Sequence, residues 1–447
     1  MKLALISLGC SKNLVDSENY LGLLVNNRDF TITREINEAD VVVINTCGFI
    51  ADAKEESIEA ILEVAEHKKE RKDLKLIVTG CLAQRYQEDL LNEIQEIDAV
   101  VGTGQVDSIL DVLDNVLKGE KEINCNTLGF LPTSNTDRIL TTPRHIAYLK
   151  ISEGCNRRCT YCIIPQLRGQ LKSRTIKDIV HEAKKLSQNG VKELNILAQE
   201  TTEYGHDLYG KPSLPALLRE LVKIEEFHWI RIYYMYPASF TDELLQLIKT
   251  EPKICNYFDI PIQHVSNDLL RAMGRGLSGE KTKELLRKIR KEIPDASLRT
   301  SIIVGFPGES EENFQELIDF VKEIQFDHIG VFRYSREENT VAYDLPNQID
   351  EEIKEERWAK LMNLQREISE NKNKKLLNKN IDIMIDGISS ESEYLLEGRS
   401  QYQAYDIDGK ILINDGTGNA GEIVKVQIEQ NFDYDFIGQI ISIDEIK

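Results

Sequence analysis

Residues 147–162 read AYLKISEGCNRRCTYC. The first part, Ala147 to Ser152, is a short apolar run of strand length, and Cys155, Cys159 and Cys162 follow it in a CxxxCxxC spacing. Five further runs of the same kind come after it, separated by helical spacing: Glu193 to Ala198, Trp229 to Met235, Tyr257 to Ile262, Leu298 to Val304 and His328 to Tyr334. Six β/α units predict a barrel, open or closed, with its chemistry at the C-terminal strand ends. Three thiolates at the CxxxCxxC spacing can hold three corners of a 4Fe-4S cube, which leaves one iron open to a small molecule. A zinc site would need a fourth ligand and normally pairs CxxC with a second CxxC or a His pair, and the sequence offers no such partner.

Upstream, residues 1–122 alternate short strands (Leu3 to Gly9, Val41 to Thr46, Leu76 to Gly80) with amphipathic stretches, which predicts a doubly wound parallel α/β domain. Ile123 to Arg144 is rich in Asn, Thr, Ser and Pro and reads as a linker, 123–144. Downstream, Asp350 to Asn378 reads as one long charged helix with Ile353, Trp358, Leu361, Leu364 and Ile368 at helical spacing, returning across the barrel domain of 145–379. From residue 380 to 447 short alternating strands with turns at Asp408-Gly409 and Asp415-Gly416 predict a small antiparallel β-barrel. The expected class is α/β multidomain.

The same strand reading exposes a second group of thiols. Cys10, Cys47 and Cys81 each stand just past the C-terminal end of a predicted strand of the first domain. In a doubly wound sheet those ends converge on the ligand crevice, so three residues distant in sequence could meet and hold a second 4Fe-4S cluster, again with an open iron. Three unrelated buried thiols are the alternative. Cys125 and Cys255 have no spaced companions and read as free structural thiols.

The CxxxCxxC run resembles the signature of the radical S-adenosylmethionine superfamily, and both trios together resemble the methylthiotransferase family. That family joins a three-cysteine domain, a radical barrel of (β/α)6 partial TIM type and a C-terminal barrel called TRAM. The opening ISLGCSKNLVDSE (6–18), with NTCGF (45–49), GCL (80–82) and DIPIQH (259–264), is similar to the RimO branch, which modifies a ribosomal protein; the tRNA branch usually reads GCQMN at the first cysteine. Ser11 departs from the Pro common there, but it is not a ligand position. The resemblance implies that the open iron at Cys155, Cys159 and Cys162 chelates S-adenosylmethionine, that Tyr161 lies against adenine, and that Gln199 and Glu200 of QETTEYG (199–205) reach the amino or ribose groups. Gly305 of IVGFPG (303–308) would let backbone approach the adenosyl moiety, or serve a simple turn. His264 reads as structural. The implied chemistry is radical hydrogen removal from the β-carbon of an aspartate in ribosomal protein twelve of the small subunit. Sulfur comes from the second cluster and methyl from a further S-adenosylmethionine, with an electron donor such as flavodoxin or ferredoxin.

Charge bears on the partner. The 447 residues carry a formal net charge of −20, and Ile381 to Lys447 holds four basic residues against fourteen acidic ones. Such a module repels RNA phosphates and suits a basic ribosomal protein, which it would orient. No apolar run approaches the length needed to cross a bilayer and no signal peptide opens the chain, so the expected location is cytoplasmic. Two rival readings stand beside this one: a tRNA methylthiotransferase acting on the adenosine next to the anticodon, and a non-catalytic iron–sulfur carrier. The size of the barrel argues against the carrier.

Overall fold

A computed structural model describes residues 1–441. The first part is a six-stranded, wholly parallel sheet: β1 (Lys2–Ser7), β2 (Thr31–Ile32), β3 (Val41–Thr46), β4 (Lys75–Gly80), β5 (Ala99–Val101) and β6 (Glu122–Asn124), in the order β2-β1-β3-β4-β5-β6. Strand alternation in the fully buried VVVI run decides how it is covered. Val42 and Ile44 face α2 (Ala51–Glu70) and α3 (Cys81–Glu93), whereas Val41 and Val43 face α1 (Ser11–Asn27) and α4 (Ile109–Leu117). The sheet is therefore doubly wound. The chain runs outward from β1 to β2 and the other way from β3 to β4, so the helices that follow β1 and β3 leave to opposite faces of the sheet at the switch point. Strands β2, β5 and β6 were not expected, and β6 occupies the start of the stretch read as linker. The rest of that stretch has no helix or strand but is tied down, with Arg138 donating to Glu18 Oε2 at 2.6 Å and to Glu182 Oε1 at 3.0 Å.

All six expected barrel strands are present. They form two parallel sheets: β7 (Ile146–Lys150), β10 (Glu193–Leu197) and β11 (Trp229–Ile232), ordered β11-β10-β7, then β12 (Tyr257–Asp259), β13 (Ser297–Val304) and β14 (His328–Arg333). A bridge from Ile230 to Ile254 and the Met235 N–H to Asp259 O bond at 2.9 Å join the halves into a partial barrel. A small hairpin, β8 (Ser152–Glu153) and β9 (Lys172–Ser173), brackets the cysteine loop. The long helix spans Glu351–Asn373 and caps β14, where Trp358 Nε1 donates to Val331 O at 3.0 Å. Ile353, expected on its apolar face, is exposed; Lys354, Arg357 and Gln365 are buried instead because each reaches a backbone carbonyl under the helix. Among the described residues no helix is long and apolar enough to cross a membrane.

The last module is a closed barrel of β15 (Asn380–Ile388), β16 (Leu396–Arg399), β17 (Ile411–Asp415), β18 (Ile423–Asn431) and β19 (Phe436–Ile440), ordered β15-β16-β17-β19-β18. It is not wholly antiparallel: β17 and β19 pair in parallel, because β18 crosses over to the far side of β19. Residues 442–447, assigned to this module by sequence, lie outside the described residues. The module docks on the first residues of four barrel strands. Arg399 donates to Glu193 at 2.8 Å, Tyr257 OH to Asp408 at 2.7 Å and Ser297 Oγ to Tyr402 O at 3.0 Å, and His328 Nε2 lies 3.0 Å from the same carbonyl. It thus closes the end of the barrel opposite the cysteines, and part of its acidity is spent there: Asp386 is paired with Arg399 and His145, and Asp408 with Arg299 and His328.

Candidate active site

The first cysteine trio is assembled by three loops pressed together. After β1 the chain turns at Gly9 (φ +86°), where a Cβ would stand 2.7 Å from Cys47 Cβ, so the loops carrying Cys10 and Cys47 touch only because residue 9 has no side chain. Asn13 locks them by donating from Nδ2 to Leu8 O and Thr46 O, both at 3.0 Å, and Asn45 Nδ2 returns a bond to Asn13 O at 2.8 Å. Cys81 is the first residue of α3, entered through Gly80 (φ +95°), and its sulfur lies 3.9 Å from Asn13 Oδ1.

The second trio needs only one loop. Cys155 N–H donates to Gly169 O at 3.0 Å, Thr160 N–H to Met273 O at 3.0 Å and Cys162 N–H to Cys159 O at 3.1 Å. Arg275 reaches Cys159 Sγ (3.8 Å) and Tyr161 OH (3.4 Å), and both Arg275 and Arg157 lay their guanidinium groups over the Tyr236 ring, 4.1 and 4.2 Å from its centroid. A buried network links the trios: Asp16 of α1 accepts from Lys150 of β7 and, at 2.5 Å, from Arg168, while Lys150 also donates to Glu153 at 2.7 Å.

All six cysteines line one cavity of about 430 Å³, with Tyr161, Gln199 and Glu200 in the same wall. Cys10 is exposed and lines this cavity. Burial pushes the thiol of Cys47 up to about 12, that of Cys155 to about 11 and that of Cys162 to about 12, and it raises Cys81 too. Cys10 differs: burial would raise it, but the Lys12 charge, the Asn13 N–H and Arg168 outweigh burial and hold it below the ordinary thiol value. Among the described residues no three His, Cys, Asp or Glu side chains converge as one bound metal ion requires. The thiols border a space instead, and soft sulfur donors around it fit an iron–sulfur cluster.

One further feature fits a small ligand. Gln199 Nε2 donates to Glu153, which leaves Gln199 Oε1 buried with no hydrogen-bond partner among the described residues, an acceptor awaiting a donor.

Comparison with known proteins agrees with this architecture. The chain matches the radical SAM superfamily over residues 149–321, an uncharacterized protein family, UPF0004, over 2–102 and the TRAM domain over 379–441. It is 47% identical to the ribosomal protein uS12 methylthiotransferase RimO of Geobacter sulfurreducens, over 99% of each chain. It is 49% identical to the protein of the same name from Clostridioides difficile, again over 99% of each. The chain belongs to the uS12 methylthiotransferase family. Among solved structures, the radical S-adenosylmethionine methyltransferase TsrM from Kitasatospora setae superposes with a TM-score of 0.53 at 14% identity, covering 74% of each chain, which speaks to fold alone. Membership in the radical SAM superfamily implies a 4Fe-4S cluster and S-adenosylmethionine.

Other residues singled out in this methylthiotransferase sequence fall as follows. Glu200 is buried and accepts from Arg157 at 3.0 and 3.1 Å; burial raises its carboxyl despite these bonds. Gly305 (φ +72°) is not among the residues lining the cavity: a Cβ there would meet Lys354 Cγ at 2.2 Å, so the glycine admits the long helix. His264 is fully buried with Nε2 3.2 Å from Glu309. Cys125 and Cys255 are buried away from the cavity. Tyr234, Tyr236 and Arg275 were missed. The two tyrosines follow a barrel strand, so the strand-end rule that found the cysteines could have found them; Arg275 carries no local signal.

Proposed function

We propose that this chain inserts a methylthio group at the β-carbon of an aspartate of ribosomal protein uS12, in the cytoplasm. The observation that carries the reading is that one cavity is walled by both cysteine trios, so a single acceptor carbon can be served from two sides. Cys155, Cys159 and Cys162 would hold the cluster that binds S-adenosylmethionine, and Cys10, Cys47 and Cys81 a second 4Fe-4S cluster. When bound, these groups supply hydrogen abstraction from an unactivated carbon together with the sulfur and the methyl group. The chain's own residues do the rest. Gln199 Oε1 would accept from the amino or ribose groups of S-adenosylmethionine, with Tyr161 and Glu200 beside it. Asn13 and Asn45 hold the first trio's loops together, and the Asp16–Lys150–Arg168 network fixes the two trios relative to each other. Tyr161, Tyr234, Tyr236 and Tyr334 line the cavity and would limit water at the reacting carbon once the ligands are bound.

The excess of acid over base across the chain favours a basic protein partner over RNA. A flavodoxin or ferredoxin is the proposed electron donor, and limits at residues 122, 144 and 379 are the proposed domain divisions. To test the reading, the protein is reconstituted anaerobically with iron and sulfide and given dithionite, S-adenosylmethionine and uS12. Mass spectrometry is expected to find methylthio-aspartate in uS12. Unmodified uS12 beside a modified tRNA would move the substrate to RNA, and intact clusters that release neither 5′-deoxyadenosine nor methionine would make the chain a carrier.

A further inference from the structure

Resting on the function proposed above, we infer that Lys12 is the specificity residue that binds the carboxylate of the acceptor side chain. Lys12 stands in the first turn of α1 between Cys10 and Asn13, and all three line the cavity. A census of charges on the cavity wall singles it out. Arg157 is paired with Glu200 and Glu203, Arg168 with Asp16, Arg333 with Glu355, and Glu337 with Lys54 and Arg85. Arg275 donates to Pro261 O at 2.5 Å and lies beside Tyr161 OH. Among the cations of this wall, counted over the described residues, Lys12 is the one with no carboxylate or carbonyl partner; its Nζ sits 3.4 Å from the centroid of the Tyr234 ring.

Tyr234 is itself held in an unusual state. Its φ of +56° is left-handed, a region that disfavours a bulky side chain, and it is fixed there by Tyr234 N–H donating to Asp259 Oδ2 at 2.9 Å and by Thr201 N–H donating to Tyr234 O at 3.1 Å. The strain aims the aromatic ring under the ammonium, within the same cavity. A cation over a ring is only partly compensated for lost water, and an arriving anion completes it. In a chain carrying −20 overall, a cation beside the first trio with no carboxylate partner is also what lets a negatively charged side chain enter. A carboxylate on Lys12 keeps the carbon next to it, the reacting carbon, in the space between the two trios.

The test uses the reconstituted holoenzyme and two peptides spanning the acceptor loop of uS12, one with the target aspartate and one with asparagine in its place. Wild type is expected to bind the aspartate peptide roughly tenfold more tightly than the asparagine peptide, the scale of a charge-assisted hydrogen bond. Lys12→Met should abolish that preference by weakening the aspartate peptide alone, with iron and sulfide content and the cluster's electron paramagnetic resonance unchanged; Lys12→Arg should keep part of it. Equal loss for both peptides, no loss for either, or a loss of iron in Lys12→Met would each overturn the assignment, the last by making Lys12 a support of the first cluster. A wild-type enzyme that prefers the aspartate peptide yet never modifies it would instead sink the proposed function and leave this inference standing.

Discussion

The two cysteine trios face one cavity but are made in opposite ways. Cys155, Cys159 and Cys162 sit within a single loop that two backbone bonds, to Gly169 and Met273, clamp in place. Cys10, Cys47 and Cys81 come from three strand ends, and their meeting depends on the whole parallel sheet, its switch point and the absence of a side chain at Gly9. A local site can be read as a motif and tolerates change elsewhere. A topological site inherits every weakness of its domain.

The sharpest way to break this comparison is to remove one trio at a time. Changing Cys155, Cys159 and Cys162 to alanine is expected to lower iron from about eight to about four atoms per chain and to abolish cleavage of S-adenosylmethionine. The same change at Cys10, Cys47 and Cys81 should give the same iron loss but leave cleavage in place while ending methylthio transfer. Iron and sulfide counts with chromatography of 5′-deoxyadenosine decide it, and identical phenotypes would refute two independent clusters. Next in size is Gly9→Ala. Its Cβ would strike Cys47 Cβ from a left-handed backbone position, so this single methyl should cost most of the first trio's iron while cleavage persists. Full iron content would show that the loop relaxes and that the trio is less dependent on topology than argued.

The same contrast explains what was legible in the sequence. All six barrel strands could be read because each carries a short apolar run, even β14, of which only Val331 is buried, and the strand-end rule puts Cys10, Cys47 and Cys81 at one crevice. Strands β2, β5 and β6 escaped because two or three residues, such as the polar Glu122–Asn124, show no period. The parallel pairing of β17 with β19 escaped for a different reason: which strand neighbours which is a fact of topology that alternation does not encode. Gly305 reads from sequence either as a backbone approach to the cofactor or as a simple turn, because a glycine at a strand end has several uses, and only the packed helix shows that Lys354 occupies the space a side chain there would fill. That Lys12 lacks a carboxylate partner could not be read at all, since it depends on where every other charge found its own.

The junction between the barrel and the last module gives the next smaller effect. Glu193 is fully buried between Arg231 (2.9 Å) and Arg399 (2.8 Å). Burial would raise its carboxyl, but Arg399 and Arg231 outweigh that and hold it below the ordinary glutamate range. Glu193→Gln should cost about 3 kcal/mol, because buried guanidinium charge is left without its anion. The sign with pH follows. A depressed carboxyl contributes its full stability above its unfolded value of about 4.3 and loses it as pH falls through the folded one, so wild type should lose melting temperature in acid more steeply than Glu193→Gln. Parallel acid profiles would mean the pair contributes nothing to linkage. Glu193→Gln should not change the iron count, since this junction lies at the barrel end away from both trios.

The smallest expected effect concerns the two thiols outside both trios. Cys125 is buried with its sulfur 3.8 Å from Ala83 O and 3.9 Å from Val100 O, on the same sheet whose strand ends carry the first trio. Burial pushes its thiol up to about 11, so it stays protonated and is a poor metal donor. Cys125→Ala removes one sulfur from a packed site and should cost about 1 kcal/mol, seen as a modest fall in melting temperature. Iron, sulfide and methylthio transfer should stay at wild-type levels. The variant matters because Cys125 also stands just past a strand end, that of the edge strand β6, but does not line the cavity as Cys10, Cys47 and Cys81 do: if it lost iron as Gly9→Ala is expected to, general weakening of the domain would explain both, and placement at the crevice would no longer be what distinguishes a ligand from a bystander.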